Sequence, residues 1–299
     1  MNEAALVLRG ISRRFGRRWV LRGVDLDVFA GEALGLTGRN GSGKTTLLRI
    51  CATLLRPTRG DGTIFDARLL AEPGLIREKV GYLAHDAGLY GNLTARENLI
   101  LAARLYGVAD PAERANTLLE EQELTGVAER QAGGFSRGMS QRLSIARGLV
   151  HDPEIVLLDE PFSGLDPVNV ALVTDLIEER RARGLTTVLS THMMHQVEAL
   201  CDRVALIHRG CLIVYGQLAE IQRRYSPHEV IIWTTMDLLA LGMRATQHKP
   251  GGWRVELPPS ATPAAYLTEL VRNGVVVDRY EPLVARMDEI FVNLVSEGR

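Results

Sequence analysis

The chain has 299 residues, 46% of them hydrophobic and 24% charged, enough to bury one large core or two smaller ones. Thirty-five basic side chains stand against 36 acidic ones, so net basic charge is absent and no nucleic-acid partner is expected. No run approaches 18 apolar residues, the first 16 residues lack a signal-peptide pattern, and Cys51, Cys201 and Cys211 are too scattered for a disulfide scaffold or a structural zinc site.

Strands are expected at 5–9, 12–18 and 26–29, then a short apolar strand at 33–37 that runs directly into glycines. A helical pattern over 45–54 closes at Pro57–Gly60. Residues 62–66 and 79–84 read as strands, and 94–105 and 111–122 as helices with no strand between them. The stretch from about 92 to 149 is therefore mostly helical. Ile155–Leu158 is a continuous apolar run, the mark of a strand buried on both faces of a parallel sheet. A helix at 168–183, a strand at 186–190, a helix at 195–201 and a strand at 203–207 continue a layered α/β pattern. Past Tyr225-Ser226-Pro227 the alternation restarts, with strands at 230–233, 253–257 and 275–280 and helices at 236–243, 263–272 and 282–295. Residues 225–299 read as a separate small α+β domain behind a first domain of residues 1–224.

Gly38-Arg39-Asn40-Gly41-Ser42-Gly43-Lys44-Thr45 is a complete phosphate-loop pattern, placed after a strand and at the start of a helix. Its glycines let backbone N–H groups converge on a polyphosphate, and the helix N-terminus adds a favourable field. Lys44 can bridge the terminal phosphates, and the Thr45 hydroxyl, followed by Thr46, can ligate Mg2+. Downstream, Leu157-Leu158-Asp159-Glu160 ends a buried strand in two carboxylates, at the edge where ligands of such sheets bind. Asp159 is the expected outer-shell or direct magnesium partner, and Glu160 is placed to orient or deprotonate the attacking water. Together these elements indicate a nucleoside triphosphatase using Mg2+, and the resemblance that follows implies ATP as its nucleotide.

Phe135-Ser136-Arg137-Gly138-Met139-Ser140-Gln141-Arg142 resembles the signature sequence of ABC transporter ATPases, and further motifs of that family follow in order. Phe15 stands where the family has its adenine-stacking aromatic, Ser163-Gly164-Leu165-Asp166 matches the D-loop, and His192 matches the switch histidine. The resemblance covers residues 5 to about 220. It implies an α/β P-loop core with an antiparallel β subdomain and a helical subdomain, followed here by the small C-terminal α+β domain. It also implies that two nucleotide-binding domains face each other head to tail. ATP on one phosphate loop then meets Ser136, Gly138 and Gln141 of the other copy, Asp166 couples the sites, and His192 contacts the γ-phosphate. Where the family usually has a glutamine at the magnesium site, this chain offers His85, whose neutral imidazole can accept a bond from a metal-bound water. An ordinary surface loop residue is the alternative reading of His85.

The resemblance further implies a separate integral membrane permease with about six spans per subunit, a second nucleotide-binding domain (the same chain or another), and a peripheral place on the cytoplasmic face of the membrane. Tyr90, Leu93 and the helix start at Thr94–Asn98 are the expected contact surface. Met287-Asp288-Glu289-Ile290-Phe291 is similar to the closing motif of ABC-2-type exporter ATPases, as in drug- and antibiotic-resistance systems, which favours export and leaves the cargo open. As a bare pattern, Leu283, Met287, Ile290 and Leu294 form one apolar helix face suited to packing. Haem-exporter ATPases of cytochrome c maturation are a second resemblance, carried by His85. A soluble ABC-type ATPase in translation or DNA maintenance is the alternative function. It is disfavoured by a single motif set and by the mere 92 positions from Lys44 to Ser136.

Overall fold

The computed structural model describes residues 3–85, 88–248, 251–258 and 261–297. The chain divides into two compact units, Met1–Leu218 and Ala219–Arg299.

In the first unit, β1 (Ala4–Phe15) and β2 (Arg18–Phe29) form a long antiparallel hairpin. The two strands expected at 5–9 and 12–18 are thus one strand and a turn. The apparent break at Gly10 is a bulge: Gly10 sits at φ 62, the register shifts there, and its N–H donates to Asp25 Oδ1 at 2.6 Å. The true reversal falls at Gly16-Arg17, inside the stretch expected to continue as strand. With β3 (Ala33–Thr37) in the second sheet, β4 (Arg59–Ile64) and β5 (Ala67–Arg68) complete a four-stranded antiparallel sheet in the order β2-β1-β4-β5.

The second sheet is built on β3, which leads through the glycine loop into α1 (Lys44–Cys51). After α2 (Pro73–Lys79) come β6 (Val80–Leu83), α3 (Ala95–Leu105), α4 (Pro111–Glu121), α5 (Arg137–Gly148), β7 (Ile155–Asp159), α6 (Pro167–Ala182), β8 (Thr186–Thr191), α7 (Met194–Leu200), β9 (Arg203–His208) and β10 (Cys211–Gln217). The order is β10-β9-β3-β8-β7-β6, parallel except for β10. Every residue of β3, β7 and β8 is buried, as a sheet covered on both faces requires. Leu8, Val28, Leu36, Leu48 and Leu157 share one core cluster, which joins the antiparallel sheet, α1 and the parallel sheet. Strand β10 was not expected. It is entered through Arg209-Gly210, both at positive φ (50 and 83), a tight hairpin turn whose first residue is not one of the usual turn formers.

The helical stretch has its own core of Leu99, Ala103, Ala115, Leu118, Leu143 and Ala146. Thr94 opens α3 with a capping box, its Oγ1 accepting from Glu97 N at 3.1 Å while Glu97 accepts from Thr94 N at 2.8 Å. His151, just after α5, stacks flat on Tyr106 with ring centroids 3.8 Å apart, and its Nε2 lies 3.2 Å from the Val80 carbonyl of β6. Burial holds the imidazole below its ordinary pKa. The folded state therefore binds this proton less readily than the unfolded chain. His151 stabilises fully above the unfolded value of about 6.5, and its contribution is lost as pH falls through the folded pKa. Urea midpoints should drop between pH 7.5 and 5, and by less in His151→Phe, which keeps the stack without the titrating ring.

The second unit begins along α8 (Leu218–Tyr225). Strands β11 (Glu229–Trp233), β12 (Ala245–His248), β13 (Gly252–Glu256) and β14 (Arg279–Pro282) form an antiparallel sheet ordered β12-β13-β11-β14, with helices α9 (Pro263–Arg272) and α10 (Met287–Glu297). Three expectations are corrected here. Residues 236–243 are turns, not a helix: Asp237 Oδ1 accepts from Leu239 N and Ala240 N, and Gly242 takes φ 77, so side-chain bonding replaces the helical ladder. The strand expected at 275–280 lies at 279–282, in register with β11. The helix expected from 282 starts at Met287, because Pro282 is still paired with Val230 and Leu283 N donates to Glu229 O. Leu283 therefore leaves the proposed helix face, while Met287 and Ile290 are buried on it.

Candidate active site

The loop between β3 and α1 is shaped by its glycines. Gly38, Gly41 and Gly43 lie at φ 145, 77 and 118. A Cβ on Gly38 would stand 2.2 Å from Ile207 O, and one on Gly43 would stand 2.7 Å from Leu21 Cδ2, so neither position admits a side chain. No side chain caps α1 at Gly43, and the buried Ser42 Oγ has no hydrogen-bond partner. A groove of about 410 Å³ runs beside Asn40 and Gly41, with Arg18, Arg22, Arg39 and Arg209 along it. Uncapped helix N–H groups, an orphaned hydroxyl and this positive lining fit a polyphosphate. A larger concavity of about 870 Å³, beside Glu32 and Arg203, sits at the other end of β3 and contains none of the motif residues.

Lys44, 5% exposed, donates to Gly38 O at 2.8 Å and pairs with Glu160 Oε1 at 3.2 Å. Glu160 Oε2 is 2.9 Å from His192 Nδ1. Adjacent residues of a strand point to opposite faces, yet Asp159 and Glu160 serve one site. The chain achieves this by leaving β7 at Glu160 in the left-handed region (φ 51), held by bonds from its N–H to Ser190 O and Ser190 Oγ. Such a conformation costs on the order of 1 kcal/mol for a non-glycine residue. Asp159, 1% exposed, accepts at Oδ1 from Thr45 Oγ1 (2.9 Å) and Ser190 Oγ (2.8 Å), and at Oδ2 from Tyr82 Oη (3.3 Å). Lys44, Thr45, Asp159, Glu160 and His192 are thus brought together, with Thr46 half-buried one residue along α1. Thr45 and Asp159 form the hard-oxygen pair that suits Mg2+.

Sequence reasoning missed Ser190 and Tyr82. Both are hydroxyls on buried strands, and only their places, two before His192 and on the strand ahead of His85, hinted at the site. His85 itself is exposed, and among the described residues no three His, Cys, Asp or Glu gather around a metal position. Phe15 ends β1 at 47% exposed, with the Arg13 guanidinium 4.6 Å from its ring centroid.

The signature residues form a second cluster. Ser136 caps α5, accepting from Met139 N at 3.3 Å. A Cβ on Gly138 would stand 2.4 Å from Asn169 Nδ2. Asn169 in turn bonds both oxygens of Asp166, through its N–H (2.9 Å) and its amide (2.8 Å), and accepts from Arg142 Nε at 3.1 Å. Those two Asn169 bonds hold the Asp166 carboxyl below its ordinary pKa. Arg137 donates to Ser163 O at 2.6 Å and Gln141 to Pro161 O at 3.2 Å. No described hydrogen bond or ion pair joins Ser136 to the phosphate loop of its own chain.

The sequence model of the ABC transporter family matches residues 21–163. The ABC transporter ATP-binding protein NatA of Bacillus subtilis is 37% identical over 72% of this chain and 91% of its own length. The doxorubicin resistance ATP-binding protein DrrA of Mycobacterium tuberculosis is 35% identical over 75% of this chain and 69% of its own. The bacitracin transport ATP-binding protein BcrA of Bacillus licheniformis is 35% identical over 72% and 71%. Among solved structures, an ATP-binding subunit of an ABC transporter superposes with TM-score 0.69 at 32% identity, covering 74% of this chain and 93% of that one. A dimeric bacterial ABC transporter cassette gives TM-score 0.67 at 27% identity, covering 71% and 98%.

Proposed function

The chain belongs to the ATP-binding subunits of ABC transporters and is an ABC-type ATPase, and on that premise we propose that it drives export through a separate membrane permease, as one of two copies that share their ATP sites. The observation that supports the shared site is that, among the described residues, no hydrogen bond or ion pair joins Ser136 to the phosphate loop of its own chain. Lys44 and Glu160 stand ready for the phosphates, while Ser136 and Asp166 are fixed to α5 and α6 with no bond to their own phosphate loop. A second copy placed head to tail supplies its signature serine to that loop.

Within each site the residues divide the work. Lys44 binds the terminal phosphates and leaves its ion pair with Glu160 to do so. Glu160 then orients the attacking water and takes its proton, and His192 holds that carboxylate through Nδ1. Mg2+, held by Thr45 and Asp159, neutralises phosphate charge when bound. Ser136 and Gly138 from the partner copy close over the γ-phosphate, and the Phe15 ring stacks the base.

Among the described residues no helix is long and apolar enough to cross a membrane. A groove of about 290 Å³ between β6 and the helical stretch offers a docking place, with Tyr90, Leu105 and Tyr106 on its walls. The loop carrying Tyr90 is tied to α3 by Asn98, which bonds Tyr90 N (2.9 Å), Tyr90 O (3.0 Å) and Thr94 O (2.9 Å) from a position only 1% exposed. Tyr90 and Leu105 are exposed at 54% and 76% on this rigid frame. Export is favoured by the 287–291 motif and by relatives named for doxorubicin resistance and for Nod factor export.

Affinity purification of the tagged chain from native membranes in mild detergent tests the proposal. A six-span protein in near-stoichiometric amount is expected, and its recovery should fall in Leu105→Glu while ATP binding holds. Ribosomal or DNA-repair proteins with no membrane protein would overturn the transporter assignment in favour of a soluble ATPase.

A further inference from the structure

The strand ahead of His85 does reach the metal cluster, but through a different residue. Tyr82 lies on β6, half-buried, and its hydroxyl donates to Asp159 Oδ2 at 3.3 Å, while Thr45 and Ser190 both bond Oδ1. Tyr82 also lines the 290 Å³ groove, and among the described groove residues it alone bonds a carboxylate of the active site.

We propose that Tyr82 is a positioning residue of the metal site: its hydroxyl fixes the rotation of the Asp159 carboxylate so that Oδ1 stays with Thr45, and it does so from the wall of the docking groove. The inference rests on Asp159 being the metal's carboxylate. Two of the three donors to Asp159 come from neighbouring core elements, α1 and β8, and Tyr82 is the one supplied by the sheet's edge strand. Without it, Oδ2 of a nearly inaccessible carboxylate loses its described donor, and the group is free to turn. A group seated in the groove then meets the same side chain that holds the metal's ligand.

The test uses the full chain with Glu160→Gln added so that ATP persists, and reads free Mn2+ by electron paramagnetic resonance in the presence of ATP. Tyr82→Phe is expected to weaken Mn2+ binding about tenfold, the low end of effects from residues behind a metal ligand. Binding of a fluorescent ATP analogue without metal should stay within about twofold, since Lys44 and the glycine loop are untouched. Asp159→Asn is the control. If it leaves Mn2+ affinity unchanged, the metal is not on Asp159 and the premise falls. If it weakens Mn2+ while Tyr82→Phe does not, the premise stands and the role of Tyr82 is overturned. An equal loss of ATP-analogue and Mn2+ binding in Tyr82→Phe would also overturn it, as general disturbance of the site.

Discussion

Glu160→Gln should cut ATP turnover by about 10²–10⁴-fold while leaving ATP binding nearly intact. The amide keeps the size of the carboxylate, so the left-handed turn at Glu160 and its backbone bonds to Ser190 are preserved. It loses the ability to take a proton from water, and the ion pair with Lys44 is lost with it. Removing that pair frees Lys44 for the phosphates, so ATP affinity should hold or rise. If the proposed pair closes on ATP and reopens on hydrolysis, this variant should also accumulate an ATP-dependent dimer on size-exclusion chromatography. Single-turnover phosphate release, compared with equilibrium binding of an ATP analogue, separates the two effects. A proportional fall in both would mean that Glu160 acts in binding and not in the chemical step.

Lys44→Ala should be equally inactive for the opposite reason. Lys44 is a nearly buried ammonium whose described partners are Gly38 O and Glu160, and a bound polyphosphate replaces the second of these. Its loss removes a charge-assisted contact to the terminal phosphates in both ground and transition states. ATP affinity should fall about tenfold or more, and turnover about 10²–10³-fold. The base and glycine-loop contacts survive, so AMP, which lacks the terminal phosphates, should bind as before. Isothermal titration with ATP, ADP and AMP checks this: losses that grow with phosphate number place Lys44 on the terminal phosphates.

Much of this site could be read from the sequence because its motifs are contiguous. Gly38 to Thr45 lie on one loop, and Asp159-Glu160 and Ser190-Thr191-His192 end adjacent parallel strands, β7 and β8, so the pattern carries the geometry with it. What escaped was whatever depends on residues far apart in sequence. Ser190 and Tyr82 look like ordinary strand residues until β8 and β6 flank β7 and bring both hydroxyls to Asp159. Asn169 is an unremarkable helix residue until Asp166 and Gly138 close on it. The fold errors have similar causes. Gly10 and the Arg209-Gly210 turn carry misleading local signals, one a bulge that looks like a strand end, the other a hairpin whose first turn residue is not one of the usual turn formers. At 236–243 the apolar spacing favours a helix, but Asp237 binds the backbone first, and the chain turns instead.

The central claim is that each ATP site is completed by a second copy, and subunit mixing tests it most directly. Lys44→Ala disables the phosphate loop and Ser136→Arg disables the signature, so each variant alone should be inactive. In a head-to-tail pair of one of each, both lesions fall in one site and the other site is intact. Mixing equal amounts should therefore restore ATP hydrolysis to roughly a quarter of the unmodified rate, from random pairing in a two-fold dimer. A mixture as inactive as its components would contradict the shared site, and with it the role assigned to Ser136.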